Sequence, residues 1–189
     1  MTYVYKVVRV EMDEKVHNDF IKSLSDMFKK RRIICQSMYA IIKLGIPKKA
    51  KIVTPEFQMN EYIKYRCDLA KFIKVEKIFL KTLSCLTYFA TRGDDIYYYD
   101  ITNYIKKKYN VKDFHYSSLY NRFFTYYFGE YVKPDKKIDL NLHKCCGSGI
   151  HFLNSIIDAE NYLKINILEN CFNYVQEGKT DGIFSEDGN

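Results

Sequence analysis

The chain has 189 residues, with 30 lysines and arginines against 23 acidic residues, a formal net charge of +7, and 47% hydrophobic residues. This apolar content excludes a wholly disordered chain, and the length suits one domain with a substantial core. No run approaches the roughly 18 apolar residues of a membrane span. Residues 1–20 carry charges where a secretory signal has its apolar segment. We therefore expect an intracellular protein without a membrane partner.

The positive charge is concentrated in three clusters, each at the end of an apolar-periodic segment: 29–32, 48–51 and 106–108. Cations at the end of a helix are stabilised by its dipole, and charge runs are ordinarily solvated. No zinc-finger spacing, ribonucleoprotein-like motif or Walker-type loop accompanies the clusters. Nucleic acid stays open as a partner without a supporting motif, and no pattern predicts a cofactor.

Six cysteines are scattered along the chain: Cys35, Cys67, Cys85, Cys145, Cys146 and Cys171. A chain of this length does not need disulfides for its stability, and the spacing matches no disulfide framework. Adjacent cysteines also cannot bridge each other easily without straining the peptide between them. We predict six free thiols.

The first half of the chain predicts strands around one helix. Residues 3–11 and 33–44 are rich in β-branched and aromatic residues, which favours strands, and the glycine and proline at 45–47 predict a bend. Between the two strands, Asp13 is a candidate N-cap of an amphipathic helix. Residues 72–78 predict a further strand. The apolar stripe of the helix is Val16, Phe20, Leu24, Met27 and Phe28.

Residues 80–120 have the pattern of an insertion within the same domain. Their apolar run at 82–90 is ambiguous between strand and helix, and Asp100 is a candidate cap of a short helix. Consecutive aromatic residues at 123–128 predict a strand that is buried on both faces or packed under the helices. A stacking platform for nucleic-acid bases is the alternative. The apolar face of the short helix is Ile101, Tyr104 and Ile105.

A dense pattern of turn, strand and helix signals follows near the C-terminus. Gly147 and Gly149 predict a tight turn, because glycine tolerates positive φ angles and close backbone approaches. A short strand at 150–153 should come next. Ser155, with an aspartate three residues later, predicts the capped start of a helix.

The chain should close with a further helix, or a continuation of this one, over residues 168–178, and with a disordered acidic tail over 179–189. These elements together predict a single compact α+β domain over residues 1–178. We expect an antiparallel or mixed sheet with peripheral helices.

Four segments resemble those of a known family: Ile-Pro-Lys-Lys-Ala-Lys at 46–51, Arg-Cys-Asp-Leu-Ala-Lys at 66–71, Gly-Glu-Tyr-Val-Lys-Pro-Asp at 129–135 and Cys-Gly-Ser-Gly-Ile-His-Phe-Leu at 146–153. In this order, with Ala159 and Tyr162 after them, they resemble an uncharacterised domain of large DNA viruses and phages that often follows pentapeptide repeats. The resemblance covers residues 40–163, and it implies a compact, strand-rich domain of unknown activity. This chain differs by having no pentapeptide repeats and a longer segment at 80–120.

Three interpretations of the chemistry at residues 143–151 stay open. A zinc site could add Cys67, although adjacent cysteines rarely reach one ion and the chain has no Cys-x-x-Cys pair. Catalysis would use Cys146 or Cys145 as the nucleophile and His151 as the base, with no identifiable orienting carboxylate. In the third interpretation these side chains are core residues around a glycine turn. The zinc-ligand types are His143, Cys145, Cys146 and His151.

We favour the third interpretation and predict no bound metal. The function that we favour is binding of another protein by a viral accessory protein, in the host cytoplasm or associated with the virion. The alternatives are a cysteine- or metal-dependent enzyme that uses residues 145–151 and a basic nucleic-acid-binding module. The oligomeric state stays open. The candidate binding residues lie in the family-like motifs and are Arg66, Cys67, Lys71, Gly147, Ser148 and Gly149.

Overall fold

The computed structural model describes residues 1–27, 32–56, 64–85, 95–144 and 147–165. As predicted, the fold is α+β. The strands are β1 (Thr2–Glu11), β2 (Arg32–Ile46), β3 (Ile52–Val53), β4 (Tyr65–Cys67), β5 (Ala70–Cys85), β6 (Asp95–Asp100), β7 (His115–Ser118), β8 (Thr125–Tyr126), β9 (Tyr131–Val132) and β10 (Ile150–Phe152). The helices are α1 (Glu14–Met27), α2 (Thr102–Lys108) and α3 (Ile156–Leu163), and Val111–Asp113 forms a 3-10 turn.

The large sheet has the strand order β6-β5-β2-β1-β7-β8, and β9 also pairs with β5. All of these pairs are antiparallel. The strands predicted at 3–11, 33–44 and 72–78 are confirmed as β1, β2 and β5, and each is longer than predicted. β6 and β7 come from the predicted insertion at 80–120 and pair within the same sheet.

Successive residues of β2 alternate between the two faces of this sheet. Ile42 and Leu44 are buried in the main core, where Phe20 of α1 and Ile105 of α2 join them. Ile41 points the other way and packs in a second cluster with residues of α3. The period of two in the strands therefore places helices on both faces.

The small sheet has the order β10-β4-β3 and is also antiparallel. Reciprocal backbone hydrogen bonds of 2.8 Å between Tyr5 and Leu153 join the end of β10 to β1. Cys67, Ile150 and Phe152 on one face of the small sheet are buried in the main core. The small sheet thus forms a further wall of that core.

The helices begin where the sequence predicts. α1 starts directly after Asp13, whose carbonyl accepts from the amide of His17 (2.8 Å). The Asp100 carboxylate, just before α2, accepts from the amide of Thr102 (3.0 Å). The Ser155 hydroxyl oxygen accepts from the amide three residues later (3.0 Å). The side chains of Asp100 and Ser155 thus satisfy N–H groups that have no partner within their helices.

The prediction for the aromatic run at 123–128 is wrong. Two of its residues form β8, at the edge of the large sheet, and Phe123 is 91% exposed. A strand of two residues buries one side chain here, that of Tyr126, because its neighbour points to the opposite face. Residues on either side belong to turns, in which Phe124 donates to the Asn121 carbonyl (3.0 Å) and Glu130 to that of Tyr127 (3.1 Å).

Other predictions lie partly or wholly outside the described residues. The ambiguous run at 82–90 begins as a strand, because β5 continues to Cys85, and its remainder is not described. The closing helix at 168–178 and the tail at 179–189 also lie outside the described residues, as do Cys145, Cys146 and Cys171.

Candidate functional site

Arg66 of β4 is fully buried and organises the loop that precedes β10. Its guanidinium donates to three backbone carbonyls, those of Asp139 (3.0 Å), Asn141 (2.8 Å) and Lys144. The loop is stiffened further because the Asp139 carboxylate accepts from the Asn141 amide (3.0 Å) and the Asn141 side chain from the His143 amide (2.9 Å). A buried cation requires such partners, so Arg66 acts here as a clamp on the loop.

The glycine turn predicted at 147–149 fits against the same loop. A side chain at Gly147 would place its Cβ 2.8 Å from the Cβ of Asp139. Gly149 has a φ of +142°, and its Cβ would lie 3.2 Å from that of Arg66. Ser148 donates to the carbonyl of Lys137. The turn thus needs glycine at 147 for close approach and at 149 for a positive φ. The candidate binding residues Gly147 and Ser148 both contact the loop that Arg66 holds.

His151 is the cross-strand neighbour of Arg66, so the two side chains leave the small sheet on the same face. Burial, and then the positive charges of Lys6, Arg66 and Lys64, lower the pKa of His151 to about 4. Its Nε2 is buried and has no hydrogen-bond partner among the described residues. The imidazole is therefore neutral near pH 7 and a weak base.

Cys67 does not share this face with His151. It pairs with Ile150, one residue earlier on β10, and successive residues of a strand point to opposite faces. Burial raises the pKa of the Cys67 thiol to about 12, which leaves it protonated and unreactive. Whether Cys67, Cys146 and His151 share a site could not be told from the sequence; Cys67 and His151 lie on opposite faces of the small sheet, and Cys146 lies outside the described residues.

The described residues hold no group of three or more histidine, cysteine, aspartate or glutamate side chains arranged to hold a metal ion. His143 is exposed, with its Nδ1 3.2 Å from a carboxylate oxygen of Glu56. Lys71, the remaining binding candidate, belongs to the large sheet, where it lies on β5 between Gly45 and Tyr131.

The sequence analysis missed Lys6, a lysine on the inward side of β1. Its Nζ donates to the carbonyl of His151 (2.8 Å) and lies 5.7 Å from the centre of the Tyr126 ring. Burial lowers the pKa of Lys6 to about 8. The sequence could have revealed this position, because residues two apart on a strand share a face. Lys6 therefore shares a face with Val4 and Val8, which are both in the main core.

The loop between β7 and β8, residues 119–124, is called the aromatic tip. Phe123 and Tyr120 are 91% and 78% exposed. The Asn121 side chain accepts from the amide of Phe123 (3.0 Å), the Asn121 carbonyl accepts from Phe124 (3.0 Å), and the Tyr120 hydroxyl bonds to that of Tyr162. The aromatic tip therefore exposes large apolar side chains on a hydrogen-bonded backbone.

No family model matches this chain, and no curated protein or solved structure matches it either. The resemblance to a viral domain stays a prediction. Within the described part of the chain, no helix has the length and apolar character needed to cross a membrane.

Proposed function

We propose that this protein acts by binding another protein through the aromatic tip. The supporting observation is the 91% exposure of Phe123 on a loop held by hydrogen bonds. Covering such a side chain removes apolar surface from water, and a preorganised backbone loses little entropy on binding. Aromatic and arginine side chains supply much of the energy in protein interfaces, and Arg122 precedes Phe123.

An intracellular setting belongs to this proposal, and the scattered cysteines, whose spacing matches no disulfide framework, support it. The viral accessory role stays a prediction from the resemblance. An enzyme that uses Cys146 and His151 also stays a prediction, because Cys146 lies outside the described residues.

A photoreactive phenylalanine analogue at position 123 tests the proposal in cells that express the protein. It should crosslink one protein that the same analogue at Ile157 does not, since Ile157 is also exposed (66%) but lies on α3. With the purified partner, Phe123→Ala should raise the Kd by about tenfold or more, whereas Ile157→Ala should leave it within about twofold. Equal crosslinking from both positions, or an unchanged Kd for Phe123→Ala, would contradict the proposal.

A further inference from the structure

Four paired residues form a row across one end of the large sheet. Tyr3 of β1 pairs with Gly45 of β2, Gly45 with Lys71 of β5, and Lys71 with Tyr131 of β9. Directly paired residues of antiparallel strands project from the same face. Their chain neighbours, which point the other way, are buried, so the row lies on the face opposite the main core: Val4, Leu44, Phe72 and Val132.

Each exposed tyrosine of this row has a lysine beside it. Tyr3 is 52% exposed, and Lys43 Nζ lies 4.6 Å from the centre of its ring. Tyr131 is 55% exposed, and Lys71 Nζ lies 5.6 Å from its ring centre. Lys74 pairs with Lys43 in the next row of the sheet and has a side chain that is 58% exposed. We call these five residues the tyrosine–lysine face.

The side chains of Met1 and Ile73 fill the middle of the face, above Gly45. A side chain there would place its Cβ 3.0 Å from Cγ of Met1 and 3.2 Å from Cγ1 of Ile73. The Met1 side chain therefore covers Gly45 and itself is half exposed. Flexible methionine side chains adapt readily to a flat apolar partner.

The charge of the face is mainly positive. Glu76 is the carboxylate that pairs with its lysines among the described residues, at 2.9 Å from Lys74 and 4.0 Å from Lys43. Three lysines thus face one carboxylate. The partner that complements this surface carries negative charge together with flat apolar groups.

We propose that the tyrosine–lysine face binds single-stranded nucleic acid. Tyr3 and Tyr131 stack on bases, and the three lysines contact phosphates. Three strand spacings separate the tyrosines, about 14 Å, which is too far for both rings to hold one base, so each takes a different base. A duplex keeps its bases stacked and offers only its phosphates, so single strands should bind more tightly.

Fluorescence anisotropy with labelled oligothymidylate and oligouridylate, and with a mixed-sequence duplex as comparison, tests the proposal. Both single strands should bind at low salt, and the logarithm of the binding constant should fall with the logarithm of salt with a slope of about −2, from three phosphate contacts. Tighter binding of both single strands than of the duplex would support the proposal.

Variants separate stacking from simple charge attraction. Tyr131→Ala and Tyr3→Ala should each weaken binding by about tenfold or more. Lys71→Gln should reduce the salt slope by about 0.7. Tyr98→Ala is the matched control, because Tyr98 is an exposed tyrosine on β6 outside this face, and Phe123→Ala controls for the aromatic tip. Both controls should bind as the wild type does, and melting curves verify that all variants fold.

Three results would overturn the proposal. The first is no binding of single strands at low salt. The second is equal weakening by Tyr131→Ala and Tyr98→Ala. The third is displacement of the oligonucleotide by polyglutamate with no effect of the tyrosine variants, which would indicate an acidic protein as the partner.

Discussion

At the scale of single residues, the placement of Lys6 conflicts with the chemistry of its side chain. The residue is 8% exposed, and none of the ion pairs among the described residues includes it. Moving an ammonium out of water is costly, and one carbonyl and one aromatic ring return only part of that free energy. The lowered pKa of Lys6, about 8, expresses the same cost.

We expect Lys6→Met to raise the free energy of unfolding at pH 7 by on the order of 1–2 kcal/mol, because methionine fills similar space without a charge. The lost hydrogen bond to the His151 carbonyl offsets part of the gain. Urea unfolding measures the difference. Lys64→Met is the control, since Lys64 is less buried and donates to the Tyr162 hydroxyl (3.1 Å). A loss of stability for Lys6→Met would mean that the amine holds β1 and β10 together.

At the scale of elements, the sequence predicts best where one pattern persists over a long segment. β1 and β2 were readable because β-branched and aromatic residues are frequent along them, and α1 because its apolar residues recur every three or four residues. The aromatic run at 123–128 misled because composition alone does not show where turns interrupt a strand. The glycine turn at 147–149 was predictable, whereas the loop that it contacts was not.

Gly149 in the glycine turn is constrained both by its positive φ and by its close contact with Arg66. Gly149→Val should lower the free energy of unfolding by on the order of 1–3 kcal/mol, because it adds strain at φ +142° and a crowded contact with Arg66. Gly129→Val is the matched control, with φ +81° and no neighbour within 4 Å among the described residues. It should cost less, since it carries backbone strain alone. Equal losses in thermal melting would show that Arg66 shifts freely to admit the side chain.

At the scale of the whole molecule, the candidate surfaces depend on pairings between distant parts of the chain. The tyrosine–lysine face joins β1, β2, β5 and β9, and Tyr3 and Tyr131 lie at opposite ends of that row. A one-residue change in register would turn a side chain to the opposite face. The sequence could supply the α+β class and the helix starts, but not this register, and so it could not show which lysines and tyrosines meet.

The lowered pKa values of His151 and Lys6 predict how the stability of the whole fold depends on pH. His151 has a pKa of about 4 in the folded protein against 6.5 unperturbed, so the unfolded chain binds more protons between these values. The free energy of unfolding should therefore rise as pH increases from 4 to 6.5, by on the order of 2–3 kcal/mol. Lys6, with a pKa of about 8 against 10.5, should add a second rise between those values.

Urea unfolding of the wild type and two variants across pH 4 to 10.5 assigns each rise to its residue. The difference in stability between the wild type and His151→Gln should change across the lower window, and that between the wild type and Lys6→Met across the upper one. The comparison with each variant is needed because the Cys67 thiol also titrates at high pH. Its pKa is raised from 9.0 to about 12, so it lowers the free energy of unfolding as pH rises, which opposes the contribution of Lys6. If the free energies of unfolding of the wild type and of His151→Gln instead changed in parallel from pH 4 to 6.5, the imidazole would titrate in the folded protein as it does in water. His151 would then keep its ordinary pKa in the folded protein, which suits a general base near pH 7.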